Sequence, residues 1–236
     1  MEGKRHLLSL PADLLFLHVT HLPGEMGRIV RRRFWGKRLK HLGRNVRIEP
    51  GVFFANPENI SIDDDAWIDR NVQVLAGPDR SDRPRREIGN DQFRLERGHV
   101  HIGRRVHLAS GAQVLGLGGV QIGDDSCLAG GARIISFSNH YRNEVDVDQP
   151  CTFSSAAYGG AHSQFLIEGP VTLGRNVGLA SNAMVLPGVH LGPDCFVTIA
   201  SVVKRSFPGN SLLTGNPAER IRARFPGQDD PDGGRE

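Results

Sequence analysis

An aliphatic residue returns at every sixth position from Leu173 onward, at Leu173, Leu179, Val185, Leu191, Val197 and Val203. A small or β-branched residue stands four places after most of them, at Val177, Ala183, Val189, Cys195 and Ser201. This period is neither the ~3.6 of a helix nor the plain alternation of a half-buried strand. Each hexad therefore reads as one short strand plus a turn. A unit so short cannot bury its apolar side alone and must stack on copies of itself, so a solenoid is expected. Three hexads close one triangular coil, with the aliphatic residue inside and the small residue where the chain turns a corner.

The same pattern occupies most of the preceding chain. Leu42, Ile48 and Phe54 are inward positions, and after a two-residue shift at Asn59-Ile60-Ser61-Ile62 the hexads resume at Ile62, Ile68 and Val74. A second block runs through Ile102, Leu108 and Val114, shifts by two at Gly118-Gly119-Val120-Gln121, and continues at Ile122, Leu128 and Ile134. Each shift is expected to mark a longer corner. The repeat stops over 75–98, around Asp79-Arg80-Ser81-Asp82-Arg83-Pro84-Arg85-Arg86, read as a solvated surface loop. It stops again over 141–169, a stretch rich in Ser, Ala and Gly.

Ahead of the repeats, Leu7, Leu8, Leu10, Leu14, Leu15 and Leu17 suggest a short helix from about Pro11. A second helix is expected from Gly24 to Leu42, with Met26, Ile29, Val30, Phe34 and Leu39 as its apolar face. Arg28, Arg31, Arg32, Arg33, Lys37, Arg38 and Lys40 form its other face. They read as a solvated surface capping the solenoid's open end, with weak contact to an anionic membrane surface as the alternative. The expected organisation is a helical, partly basic segment over 1–41, a repeat domain over 42–222, and a polar, disordered tail over 223–236.

Composition narrows the function classes. A net charge of +3 does not mark a polyanion binder, and 29 glycines with 6% aromatics suit tight corners better than a bulky core. Cys127, Cys151 and Cys195 give no paired framework and no Cys-x-x-Cys, which argues for a reducing compartment and against a zinc knuckle. No apolar run approaches the ~20 residues of a membrane span, and no signal peptide is read. A cytoplasmic protein, at most peripheral to the inner membrane face, is expected. No phosphate-cradling Gly-x-x-x-x-Gly-Lys loop or Gly-x-Gly-x-x-Gly turn is present. Among ten histidines, His99, His101, His107 and His190 read as satisfied surface residues. His140 is set apart because it ends a hexad run, follows Asn139 and opens the long loop.

The hexads, together with the tail Gly215-Asn216-Pro217-Ala218-Glu219-Arg220-Ile221-Arg222, resemble the hexapeptide-repeat acyltransferases, in which a Gly-Asn-Pro-Ala motif closes the repeat domain. The resemblance is to sugar O-acetyltransferases, of the maltose/galactoside and polysaccharide-biosynthesis type. It implies an all-β fold: a single-stranded left-handed parallel β-helix with a small N-terminal helical segment and a short C-terminal extension. It also implies a homotrimer with sites between subunits. His140 takes the place of the family's catalytic histidine, the general base that removes a proton from the acceptor. Ser181 matches the backbone amide that faces the developing oxyanion, although the usual Trp-Ile-Gly reads Gly178-Leu179-Ala180 here. The implied co-substrate is acetyl-CoA, with no metal. Its contacts would be Ala180, Ser181, Ile199, Lys204, Arg205, Asn216 and Arg222. Lys204 and Arg205 stand where the family has Thr-Lys, and Arg222 matches the arginine after the Gly-Asn-Pro-Ala motif.

Acceptor recognition is less defined, because the coil region that commonly holds acceptor hydroxyls reads Gly116-Leu117-Gly118-Gly119. Asn139, Arg142, Asn143 and Glu144 are the candidate substrate contacts, with Tyr158 and His162 further along the loop. The expected activity is acetyl-CoA-dependent O-acetylation of a sugar or polysaccharide-precursor hydroxyl. The alternatives are N-acetylation of an amino-sugar nucleotide and a non-catalytic trimeric scaffold. A zinc-dependent carbonic anhydrase on this helix needs three converging histidines, and no His-x-x-x-x-His pair supplies two of them.

Overall fold

The computed structural model describes residues 14–78, 82–148, 150–151 and 164–227. The start of the first helix near Pro11, Tyr158, His162 and the tail over 228–236 lie outside the described residues. Helix α1 occupies 14–21 and helix α2 Gly24–Gly36. The solenoid follows as six coils of three strands each. Coil 1 is β1 (His41–Leu42), β2 (Arg47–Ile48) and β3 (Phe53–Ala55); coil 2 is β4 (Ile60–Ile62), β5 (Trp67–Ile68) and β6 (Gln73–Leu75). Strand β7 (Arg85–Glu87) lies outside the coils. Coil 3 is β8 (Val100–Ile102), β9 (His107–Leu108) and β10 (Gln113–Leu115), and coil 4 is β11 (Val120–Ile122), β12 (Cys127–Leu128) and β13 (Arg133–Ile135). After β14 (Phe137–His140) and β15 (Phe165–Glu168), coil 5 is β16 (Val171–Leu173), β17 (Gly178–Leu179) and β18 (Met184–Val185). Coil 6 is β19 (His190–Leu191), β20 (Phe196–Val197) and β21 (Val202–Val203), and the hairpin β22 (Ser211–Gly215) and β23 (Ala218–Ala223) closes the stack.

The first strands of the coils form sheet A, the second strands sheet B and the third sheet C, all in parallel register. His41 pairs with Ser61 twenty residues on, whereas Thr172 pairs with His190 after eighteen. The two extra residues of an early coil lie at the corner from sheet C to sheet A, as the sequence shifts lead one to expect. At the other two corners the third residue adopts a left-handed backbone, for example Asn45, Asp65 and Asp125 between sheets A and B, and Asn71 and Asn182 between B and C. Asn and Asp tolerate that conformation because their short polar side chains bond locally.

The hexad pattern reads out as burial. Ile48, Ile62, Ile68, Ile102, Leu108, Ile122, Leu128, Ile134, Val185 and Leu191 have no exposed surface, and Ala183 and Cys195 fill the inside of their corners with none either. Two expectations fail at the amino-terminal cap. The second helix stops at Gly36, not Leu42, and Met26 and Ile29 of its supposed apolar face are 66% and 62% exposed. Its buried stripe is Gly27, Arg31 and Trp35, spaced four apart. A Cβ on Gly27 would lie 1.9 Å from the Leu22 carbonyl oxygen, so only glycine lets the helix settle this close. Arg31 then enters the core end, donating to the carbonyls of Ile48 and Leu22. Burial lowers its pKa against the opposing pull of Glu49. Residues 223–227 also depart from a free tail: Arg224 donates to the Asn176 carbonyl at 2.7 Å, and the Phe225 amide donates to Asn210 Oδ1 at 2.7 Å.

Candidate active site

Both interruptions of the repeat leave from the same corner, between sheets C and A, on coils 2 and 4. They meet outside it as a small sheet of their own, ordered β14–β15–β7, in which β15 runs antiparallel to β14 and parallel to β7. The first interruption is thus not the solvated loop that its charges suggest. Glu168, only 3% exposed, accepts from Arg85 at 2.7 Å and from Arg97 at 2.6 Å. Asn90 donates to the carbonyls of Pro170 and Val189 at 3.0 and 3.2 Å, while Phe93 and Ile88 fill the space above Gly119 and Gly188. The buried Phe165 and Leu166 likewise show that the second interruption contains a core strand.

His140 ends β14, paired with Phe165 on β15. Its ring sits 4.5 Å from that of Tyr141 and 5.9 Å from that of Phe165, and its side chain is 11% exposed. Nδ1 lies 2.8 Å from the Arg142 carbonyl oxygen. A carbonyl only accepts, so this contact, shorter than the 3.5 Å approach of the Arg142 amide to the same nitrogen, favours Nδ1–H and leaves Nε2 its lone pair. Nε2 faces Glu144 Oε1 at 3.7 Å, and that oxygen accepts from Arg86 at 3.0 Å. Neutral imidazole in this tautomer, with an anion beside the free nitrogen, can accept a proton and hold it.

The candidate acceptor contacts divide. Asn139 is exposed on β14, and the Arg142 guanidinium lies over the Tyr141 ring. Asn143 is buried, and its Oδ1 accepts from the amides of Val145 and Asp146, which assigns it to holding the turn rather than to a ligand. Glu144 is engaged with Arg86 beside the imidazole. Sequence reasoning missed Arg86, Arg85, Arg97 and Glu168, because their partners lie between 58 and 83 residues away.

Ala180, Ser181, Ile199 and Asn216 line up along a different edge, where sheet B turns into sheet C. Ala200 donates to the Ser181 carbonyl from the corner one coil further, and Gly215, beside Asn216, donates to Ser201 Oγ on that same corner. Ile199 is 70% exposed there. The amide of Ser181 has no hydrogen-bond acceptor among the described residues, unlike those of Ala180 and Asn182. Within one chain, sheet C separates this edge from the corner carrying His140. Lys204 and Arg205 follow β21 at the corner between C and A; Arg205 is ion-paired with Glu219 and stacked on Phe207 at 4.7 Å. Arg222 is exposed on β23 opposite Leu212.

The expected bystander histidines are satisfied. His99 is bonded to Asn59, His101 to Asp63 at 3.0 Å, and His190 to Thr172 Oγ1 at 2.7 Å, with burial lowering the His190 pKa. Among the described residues no cluster of His, Cys, Asp and Glu is arranged to hold a metal ion. No helix among them is long and apolar enough to cross a membrane.

No family model matches the sequence. An Escherichia coli protein named dTDP-4-amino-4,6-dideoxy-D-glucose acyltransferase is 28% identical over 185 residues, 78% of this chain and 82% of the relative. A crystal structure of a point mutant of AntD, an N-acyltransferase from Bacillus cereus, in complex with dTDP and coenzyme A, has the same fold with a TM-score of 0.64. It covers 83% of this chain and 90% of its own at 19% identity. Galactoside acetyltransferase in complex with coenzyme A covers 91% of this chain and 79% of its own, at 20% identity and a TM-score of 0.52. The stacked coils are therefore a left-handed parallel β-helix, the fold of these acyltransferases, to which the chain is similar over most of its length.

Proposed function

We propose that this protein transfers an acetyl group from acetyl-CoA to a sugar, with His140 as general base and the Ser181 amide as oxyanion donor. The observation that carries this reading is the His140 ring. Hydrogen-bonding of Nδ1–H to the Arg142 carbonyl leaves Nε2 its lone pair, and Glu144 stands where it stabilises the imidazolium formed on attack. The proton taken by Nε2 is then delivered to the departing thiolate. The Ser181 amide, which has no acceptor among the described residues, and the exposed Ile199 surface line an edge suited to a pantetheine arm. Lys204, Arg205 and Arg222 are the cations offered to its phosphates, and Asn216 adds a polar contact.

Because sheet C divides His140 from Ser181 in one chain, the site needs two subunits, which supports a homotrimer in which one copy supplies the base and its neighbour the donor groove. The first acceptor reading is the hydroxyl of a sugar or polysaccharide precursor, in the cytoplasm. The second is the amine of a nucleotide-linked amino sugar, favoured by the kinship with the Escherichia coli acyltransferase over most of both chains. Weak contact of the cationic face of α2 with anionic membrane completes the proposal.

Release of CoA thiol from acetyl-CoA, measured against a panel of free sugars, galactosides and nucleotide-linked amino sugars, tests it. Acceptor-dependent thiol release is expected with one of these classes. No release with any of them, together with no CoA binding, contradicts it.

A further inference from the structure

We propose that Arg86, from the first excursion, is a positioning residue that holds Glu144 away from the lone pair of His140. This rests on His140 being the base. The geometry comes from strand pairing between two distant segments. Arg86 and Arg85 are neighbours on β7, so their side chains leave opposite faces of the small sheet. Arg85 turns to Glu168 on one face; Arg86 turns to Glu144 on the other.

A single oxygen, Glu144 Oε1, lies 3.0 Å from Arg86 Nη1 and 3.7 Å from His140 Nε2. The first separation is a charge-assisted hydrogen bond and the second is too long for one. Arg86 therefore keeps this oxygen near the imidazole without letting it close on Nε2. Without the guanidinium, the carboxylate is the strongest acceptor beside the ring. It would compete with the Arg142 carbonyl for the ring hydrogen, moving that hydrogen from Nδ1 to Nε2. The lone pair that must accept the acceptor's proton would then be occupied. Arg86 is bonded to Glu144, and it is through that carboxylate that it acts on the ring.

The ring-nitrogen NMR spectrum of the full protein, with His140→Gln used to assign the resonances, reads the tautomer directly. In the wild type the Nδ1–H form is expected to dominate among the neutral tautomers of His140. Arg86→Gln is expected to lose that dominance, while Arg86→Lys and the double variant Arg86→Gln/Glu144→Gln retain it. An unchanged His140 tautomer in Arg86→Gln overturns the proposal, as does the same loss in the double variant. Glu144→Gln alone guards against a misfolded Arg86 variant, since loss of the Nδ1–H form in that protein also overturns the proposal. Failure of the base role is seen separately, as acyl transfer surviving His140→Gln.

Discussion

Pro50 and Ser181 occupy the same place in the solenoid, the second residue of the corner between sheets B and C, four coils apart. A proline has no amide hydrogen, so coil 1 shows that this corner needs none at that position. The Ser181 amide is thus free to serve a ligand. Ser181→Pro removes the donor while keeping a backbone the fold already uses. Acyl transfer is expected to fall by about 100-fold or more, and Ser181→Ala to remain close to wild type. Steady-state rates of the two variants, each checked by melting temperature, decide this.

Glu168 holds the two excursions to the coil corner through Arg85 and Arg97. Glu168→Ala would remove the buried carboxylate that Arg85 and Arg97 share and that ties the two excursions together. A loss of about 3 kcal/mol is expected, with faster proteolysis near residues 85–97. Urea titration and timed digestion measure the two effects.

The corner between sheets A and B carries a ladder of charges: Arg44 on Asp64, Arg104 on Asp124 and Arg105 on Asp125. Hydrogen bonds from Arg44 and Arg105 hold the carboxyls of Asp64 and Asp125 below the usual carboxylate range. For Asp124, burial opposes the charge but the Arg104 hydrogen bonds outweigh it. A depressed folded-state pKa contributes stability above the unfolded value of ~3.9 and loses it as pH falls through the folded values. The melting temperature of the wild type is therefore expected to drop below about pH 4. Asp125→Asn should show a shallower drop, and an equally steep one would disconnect the ladder from acid sensitivity.

Gly27 sets the seat of α2. Gly27→Ala is expected to cost roughly 1–3 kcal/mol, because the added methyl meets the Leu22 carbonyl and displaces Arg31 from its carbonyl partners. Thermal unfolding of the variant tests this, and activity per folded molecule should be little altered.

The coils were legible in the sequence because one rule, an inward aliphatic every sixth residue, repeats with the same physical cause each time. Even the two-residue shifts carried meaning, each marking the longer corner between sheets C and A. The α2 face was misread because amphipathic reasoning places arginine outside, whereas Gly27 opens a channel through which Arg31 reaches two carbonyls. The first excursion was misread for a related reason. Its arginines look like a solvated run until β7 pairs with β15, about eighty residues away, and supplies them with Glu168 and Glu144. His140 stood out by its place at the end of a hexad run, but its tautomer depends on Arg142 and its surroundings on Arg86. Neither relationship has a local pattern in the chain.

The most direct measurement is the rate of CoA release from acetyl-CoA, with the acceptor identified by the panel, for the wild type and His140→Gln. A fall of ~10²- to 10⁴-fold is expected in a variant that keeps the wild-type melting temperature. An unchanged rate in the folded variant would contradict the assignment of His140 as the base.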